Sequence, residues 1–229
     1  MAEELAELTL AGLHEALAAT LAHTPGINVR TPVLDLGCGS GAWLARLARH
    51  GFTDLRGIDS ESMVPITPSS AYVCSQADID EPDLRLGEAR FGLITAIEVI
   101  EHVENPGRLL AHVRHYLARD GYLLLTTPNV HSVRARVRFA ITGKLAGFDR
   151  TNVPFEPTHI YPVFITCLDR LLPRYGLETV QRWTYPPVGG SGSRLAARMV
   201  AALLASVFPN QYPGDLLCVL VRHMKSQAG

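Results

Sequence analysis

The chain is short of cysteine pairs, net charge, aromatics and long apolar runs, and each shortage removes a class of function. Its four cysteines, Cys38, Cys74, Cys167 and Cys218, are scattered, with no CxxC spacing and no disulfide framework. That pattern predicts reduced thiols in a cytoplasmic protein. Net charge is −1, from 21 Lys+Arg against 22 Asp+Glu, so a general electrostatic grip on nucleic acid is not expected. Aromatics make up 7% of the residues, and no aromatic-rich platform for single-stranded bases is evident. No apolar run reaches the roughly 20 residues needed to cross a bilayer. The opening Met1-Ala2-Glu3-Glu4 is acidic, unlike a secretory leader. There are no internal repeats and no sign of a second domain, so residues 1–229 are expected to form one.

What is present is a strand, a glycine turn and a helix. Val33-Leu34-Asp35-Leu36 is a short apolar run carrying an acid, and Gly37-Cys38-Gly39-Ser40-Gly41 follows at once. Ala42 to His50 then reads as a helix. This is the opening unit of a nucleotide-binding α/β sheet. Glycine suits the turn because a Cβ there would block close approach of the backbone to a ligand. A second apolar run ends in Gly57-Ile58-Asp59, an acid able to accept hydrogen bonds from both hydroxyls of a ribose.

Further elements follow in alternation. Glu3 to Ala22 predicts an amphipathic helix with Leu5, Leu8, Leu13, Leu17 and Leu21 near one face, broken by Thr24-Pro25-Gly26. Thr53–Ile58, Tyr72–Cys74, Phe91–Ile97 and Gly121–Thr127 predict strands two to five. The fourth is apolar throughout, as a strand covered on both faces should be. Asn105-Pro106 opens a helix to about Leu117. Val130–Thr142 and Pro162–Tyr175 predict helices, Gly143–Pro157 a loop, and Leu177–Tyr185 and Leu216–Val221 the last two strands. Strands alternating with helices imply a mostly parallel sheet with right-handed crossovers.

Four blocks resemble class I S-adenosylmethionine-dependent methyltransferases. They are Asp35-x-Gly37-x-Gly39-x-Gly41; Asp59; Phe91 to Val103 with Glu98-Val99-Ile100-Glu101-His102; and Leu117 to Asn129. Together they cover about residues 30–130. The resemblance implies a Rossmann-like, seven-stranded, mostly parallel sheet with an antiparallel last strand and helices on both faces. On this division residues 1–25 are an N-terminal helix, 30–130 the cofactor-binding core, and 131–229 the substrate-side and closing segment. It also implies the cofactor, S-adenosyl-L-methionine. Gly37, Gly39 and Gly41 would touch its methionine and ribose parts, and Asp35 its amino group or the turn itself. Asp59 would hold the ribose hydroxyls, Asp78 and Ile79 the adenine, and Ile97 the methionine end. Asp78, Asp80, Glu81 and Asp83 also read as a solvated acidic face. The same loop fits a dinucleotide fingerprint as Gly37-x-Gly39-x-x-Ala42, but Gly41 and the Glu98–His102 block have no place in an NAD-binding oxidoreductase.

Glu98, Glu101 and His102 are spaced i, i+3, i+4, which puts all three on one side if the segment turns helically. Methyl transfer to a hydroxyl needs in-line alignment and removal of a proton, by a general base or by a metal. The Glu-x-x-Glu-His arrangement resembles the metal site of small-RNA 2′-O-methyltransferases and also the ubiquinone-biosynthesis O-methyltransferases. In that reading His159 completes a site for Mg²⁺, Mn²⁺ or Zn²⁺ with Glu98, Glu101 and His102. Otherwise His102 is a metal-free base or holds the loop. The expected partner is a small hydroxylated acceptor rather than nucleic acid. Arg134, Arg136, Arg138, Lys144 and Arg150 could meet an acidic group on it, or form a solvated helix face. Arg194 to Phe208 reads as a core helix, or as an interfacial helix in peripheral contact with a membrane. A binding protein that has lost catalysis is the reading from another class.

Overall fold

The computed structural model describes residues 7, 9–60, 71–145, 147–148, 159–186 and 212–225. The strands are β1 Val33–Leu36, β2 Leu55–Asp59, β3 Val73–Gln76, β4 Phe91–Ile97, β5 Leu117–Pro128, β6 Leu177–Tyr185 and β7 Leu216–His223. They form one sheet in the order β3-β2-β1-β4-β5-β7-β6. The first five positions are parallel. β7 runs antiparallel to both its neighbours, β5 and β6. The Rossmann-like sheet with an antiparallel last strand is therefore present as expected.

Side-chain alternation along the strands builds two cores. Leu34, Leu36, Ile94, Leu123 and Val219 point to one face. There they meet α3 Pro106–Tyr116 and α5 Ile165–Leu171 through Leu109, Val113 and Leu168. Val33, Leu55, Leu93, Leu124 and Leu220 point to the other. That side is covered by α1 Leu13–Ala22 and α2 Ala42–Arg49 through Leu17, Leu21, Leu44 and Leu47. Helices on both faces explain why β1 is buried along its whole length. Among the described residues no helix is long and apolar enough to cross a membrane.

Local chemistry sets the boundaries, and several differ from expectation. α1 starts at Leu13, not Glu3, because Gly12 adopts a left-handed φ of 79° ahead of it. Residues 1–6 and 8 lie outside the described residues. α3 begins as expected at Asn105-Pro106: the Asn105 side chain caps Arg108 N at 3.1 Å and Pro106 occupies the first turn. β5 begins at Leu117, not Gly121. Leu117 pairs with Phe91 and Tyr122 with Leu93, so residues 118–121 bulge between them. α4 Val133–Thr142 is capped by Ser132, whose hydroxyl accepts from Ala135 N. The helix expected over Pro162–Tyr175 is shorter. Its first residues stay extended, and Leu172–Tyr175 tightens to a 3-10 turn where Pro173 cannot donate to the α-helical ladder. Most of the 143–157 loop and the whole of 194–208 lie outside the described residues.

Candidate active site

Strand order reverses between β1 and β4, which opens a crevice at their carboxyl ends. The glycine loop leaves β1 there. Gly37 has φ 71°, and a Cβ on it would stand 2.6 Å from Val99 Cγ2. The loop can therefore lie against the segment after β4 only without a side chain. Gly41 has φ 78° and is the N-cap of α2, with no side-chain cap hydrogen bond among the described residues. The Tyr72 ring closes over it, 3.0 Å from where a Cβ would be. Asp59, at the end of β2, reaches back to the loop and accepts from Gly39 N at 2.8 Å.

Asp35 is buried beneath the loop. Its Oδ1 accepts from the Thr95 hydroxyl at 2.6 Å, and Thr95 accepts from Trp43 Nε1 at 3.2 Å. Burial pushes the Asp35 carboxyl up to about 8, partly opposed by the Thr95 hydrogen bond. It is thus largely neutral at pH 7, and a cationic group brought beside it would draw off its proton. Asp78 is exposed and Ile79 buried. Asp78 Oδ1 accepts from Asp80 N. Asp80 is not a member of a free acidic face, since its carboxylate accepts from Glu104 N and Asn105 N ahead of α3. Ile97 is the last residue of β4, half-buried and paired with Thr126.

The Glu98–His102 segment is a single turn closed by His102 N to Val99 O at 2.9 Å, not a helix. Glu98 takes φ 54°, the left-handed region unusual for a side chain of its size. Its N–H donates to the carbonyl and hydroxyl of Thr126 at 3.1 and 3.0 Å. That twist aims the Glu98 carboxylate at Thr9, whose hydroxyl donates to it. Glu101 instead points inward and is fully buried, and among the described residues neither of its oxygens makes a close, well-aligned hydrogen bond. Burial pushes its carboxyl up to about 8, with Glu98 adding to the rise and its own backbone and Thr127 opposing it.

The backbone of the same residue recruits His159. Glu101 O accepts from Ile160 N at 2.8 Å and Tyr161 N at 2.9 Å. The His102 and His159 rings then meet edge-on with centroids 4.6 Å apart, and Phe148 lies 5.3 Å from His159. One ligand atom from each of Glu101, His102 and His159 falls within 4.8 Å of the others. Glu98, expected to be the fourth member, is not in this cluster. A groove of about 220 Å³ lined by Ile100, Tyr161, Val163, Phe164 and Leu168 opens beside α5, and none of the candidate site residues lines it. Thr9, Thr95, Thr127 and Phe148 were not singled out from the sequence. Of these only Thr127 had a local signal, in the polar Thr126-Thr127-Pro128-Asn129 that closes an otherwise apolar strand.

Comparison with known proteins follows the same lines. A family model described as a methyltransferase domain matches residues 1–182. The ubiquinone biosynthesis O-methyltransferase of Coxiella burnetii is 33% identical over 142 residues, 58% of this chain and 56% of that protein. The mitochondrial ubiquinone biosynthesis O-methyltransferase of Arabidopsis thaliana is 27% identical over 172 residues, 69% of this chain and 50% of that protein. The chain thus spans about half the length of these curated relatives. The crystal structure of an S-adenosylmethionine-dependent methyltransferase from Mesorhizobium loti shares the fold, with TM-score 0.62 and 16% identity over 94% of this chain and 100% of that one.

Proposed function

Because this chain belongs to the methyltransferase-domain family, we propose that it transfers the methyl group of S-adenosylmethionine to a hydroxyl oxygen of a small molecule, releasing S-adenosylhomocysteine. The family match sets aside the dinucleotide reading of the glycine loop. The observation that carries the oxygen preference is the convergence of Glu101, His102 and His159, one turn away from Val99, which packs on Gly37. The 33% identity to a ubiquinone biosynthesis O-methyltransferase supports the same acceptor atom.

On this reading Gly37, Gly39 and Gly41 admit the methionine and ribose parts of the cofactor. Asp35 stands at its amino group, Asp59 at the ribose hydroxyls, Asp78 and Ile79 at the adenine, and Ile97 near the methionine end. The reaction is an in-line displacement: the oxygen–carbon bond forms as the carbon–sulfur bond breaks, and the hydroxyl proton must leave. His102 is the group nearest that task. Glu101, His102 and His159 also fit a divalent cation, since a buried carboxylate and two imidazoles whose ligand atoms lie within 4.8 Å of one another are a donor set that a cation would complete. Such an ion would supply a lowered pKa for a bound hydroxyl. Glu98 is held by Thr9 and belongs to the frame of the site. Arg134 is paired with Asp215 at 3.4 Å, which reduces the cationic surface for an RNA acceptor.

Residues 1–229 act in this proposal as one methyltransferase domain, and the scattered cysteines support a cytoplasmic setting. Peripheral membrane contact through residues 194–208 is supported by their sequence alone. The test is incubation with S-adenosylmethionine and a panel of hydroxylated aromatic and sugar acceptors, with S-adenosylhomocysteine as the readout. We expect turnover that falls about 100-fold or more in His102→Ala and responds to EDTA and to added Mn²⁺ or Zn²⁺. Full activity after rigorous chelation would remove the cation. Folded protein that gives no heat with S-adenosylhomocysteine would refute the cofactor assignment.

A further inference from the structure

Cys38 lies inside the glycine loop, and the reaction above gives its sulfur nothing to do. Its side chain rests on β2: a Cβ built on Gly57 would stand 2.7 Å from Cys38 Cβ and 2.8 Å from Cys38 Sγ. Gly57 is directly opposite Cys74 in the β2–β3 ladder. Partners in register project to the same face of a sheet. Cys74 therefore emerges on the side that Cys38 occupies, over the vacancy that glycine leaves at position 57. Tyr72, two residues earlier, confirms the direction by meeting Gly41 at the start of α2. Cys38 belongs to the core patch that includes Leu44 and Leu47, Cys74 packs against it, and each thiol's acidity responds to the other.

We propose that Cys38 and Cys74 form a peroxide-sensitive dithiol, and that its oxidation to a disulfide displaces the glycine loop and weakens cofactor binding. Cys74 is half-buried and Cys38 buried, so Cys74 meets the oxidant first. Its sulfur loses its proton and attacks hydrogen peroxide; a sulfur–oxygen bond forms, the oxygen–oxygen bond breaks, and the departing hydroxide takes up that proton as water. Cys38 sulfur then attacks the sulfenic sulfur; the disulfide forms, the sulfur–oxygen bond breaks, and the oxygen leaves as water with the thiol proton. In sum two thiols reduce one peroxide to two waters. The order of attack agrees with the acidities. Interaction with Cys38 lowers the Cys74 thiol, against opposing burial and the charge of Asp59. The same interaction, then burial and the charges around it, raises Cys38.

The loop is coupled to that sulfur through two hydrogen bonds. Cys38 N donates to Ile58 O at 2.9 Å, and the next residue, Gly39, donates to Asp59 at 2.8 Å. Closing the sulfurs to a bond of about 2.05 Å draws Cys38 toward β3 between these anchors. The effect on the cofactor rests on the proposed methyltransferase reading; the disulfide does not.

The experiment uses the full chain carrying Cys167→Ser, which removes the exposed thiol that could link two copies. Reduced protein is treated with hydrogen peroxide, mapped by peptide mass spectrometry, and titrated with S-adenosylhomocysteine before oxidation, after it, and after dithiothreitol. The expected results are a Cys38–Cys74 cross-linked peptide and affinity lower by about tenfold or more, restored by dithiothreitol. Cys74→Ser binds like its parent and loses the response. Thiols at 38 and 74 that both stay alkylatable after peroxide, or a cross-link with unchanged affinity, would overturn the proposal. So would an equal loss of affinity in Cys74→Ser. If the reduced protein binds no S-adenosylhomocysteine, the cofactor reading has failed, and the peptide map alone then decides whether the dithiol exists.

Discussion

Replacing Glu101 with Gln should remove one component of the pH dependence of folding. The carboxyl is fully buried and lies at about 8 instead of its ordinary 4.5. Between those values the folded state holds a proton that the unfolded chain has released, so stability falls as pH rises and levels off above about 8. The slope is about 1.4 kcal/mol per pH unit, which accumulates to about 3 kcal/mol by pH 7. Gln has the same shape and does not titrate. Its amide brings new buried donors, at a pH-independent cost of about 1–3 kcal/mol if they find no acceptor. The two effects offset near neutrality, so a single melting temperature says little and the slope carries the information. Asp35 titrates in a similar way in both proteins and cancels in the difference.

The assay is urea unfolding of both proteins in EDTA at pH 5, 6, 7 and 8. Glu101→Gln should be the less stable at pH 5 and should gain on the parent by about 1.4 kcal/mol with each unit. Added Mn²⁺ or Zn²⁺ at pH 8 should raise the stability of the parent only, because a cation favours the ionised carboxylate and binds the folded state. Stability profiles that stay parallel across this range would refute a protonated, buried Glu101.

Two further outcomes test the cofactor end. Gly37→Ala must hold a φ of 71° and place a methyl 2.6 Å from Val99; it should lose about 2 kcal/mol of stability and most of its affinity for S-adenosylhomocysteine, and an unchanged thermal melt would refute the clash. Asp59→Ala should keep its circular dichroism spectrum and bind S-adenosylhomocysteine more weakly by about 1.5–3 kcal/mol, the worth of hydrogen bonds to a charged group; equal affinity by calorimetry would refute a ribose contact.

The parts of the fold that could be read from residue order are those governed by short-range rules. Strand-length apolar runs, the glycine turn and the Asn105-Pro106 cap each act within a few residues, and all are found, the strands with shifted ends. The shortfalls have local causes that compete with the pattern. Gly12 stops α1 although the leucine spacing continues before it, and Pro173 tightens a helix whose periodicity runs on. The candidate site was legible through the family resemblance as four residues, but not which of its two carboxylates joins the histidines. Glu98 and Glu101 have the same chemistry and lie in one short turn. A backbone twist at Glu98 sends one carboxylate out to Thr9 and leaves the other to be buried.

Residue order by itself determined the α/β sheet, the loop at the end of β1 and the acid at the end of β2, because propensity and periodicity act between near neighbours. Only the tertiary structure decided which side chains meet. His159 reaches His102 because two N–H groups far along the chain find the carbonyl of Glu101. Cys38 and Cys74 come to the same side of the sheet because the glycine paired with Cys74 leaves room for the Cys38 side chain. Contacts of that kind depend on how sheet and loops close over one another, and no local pattern encodes them.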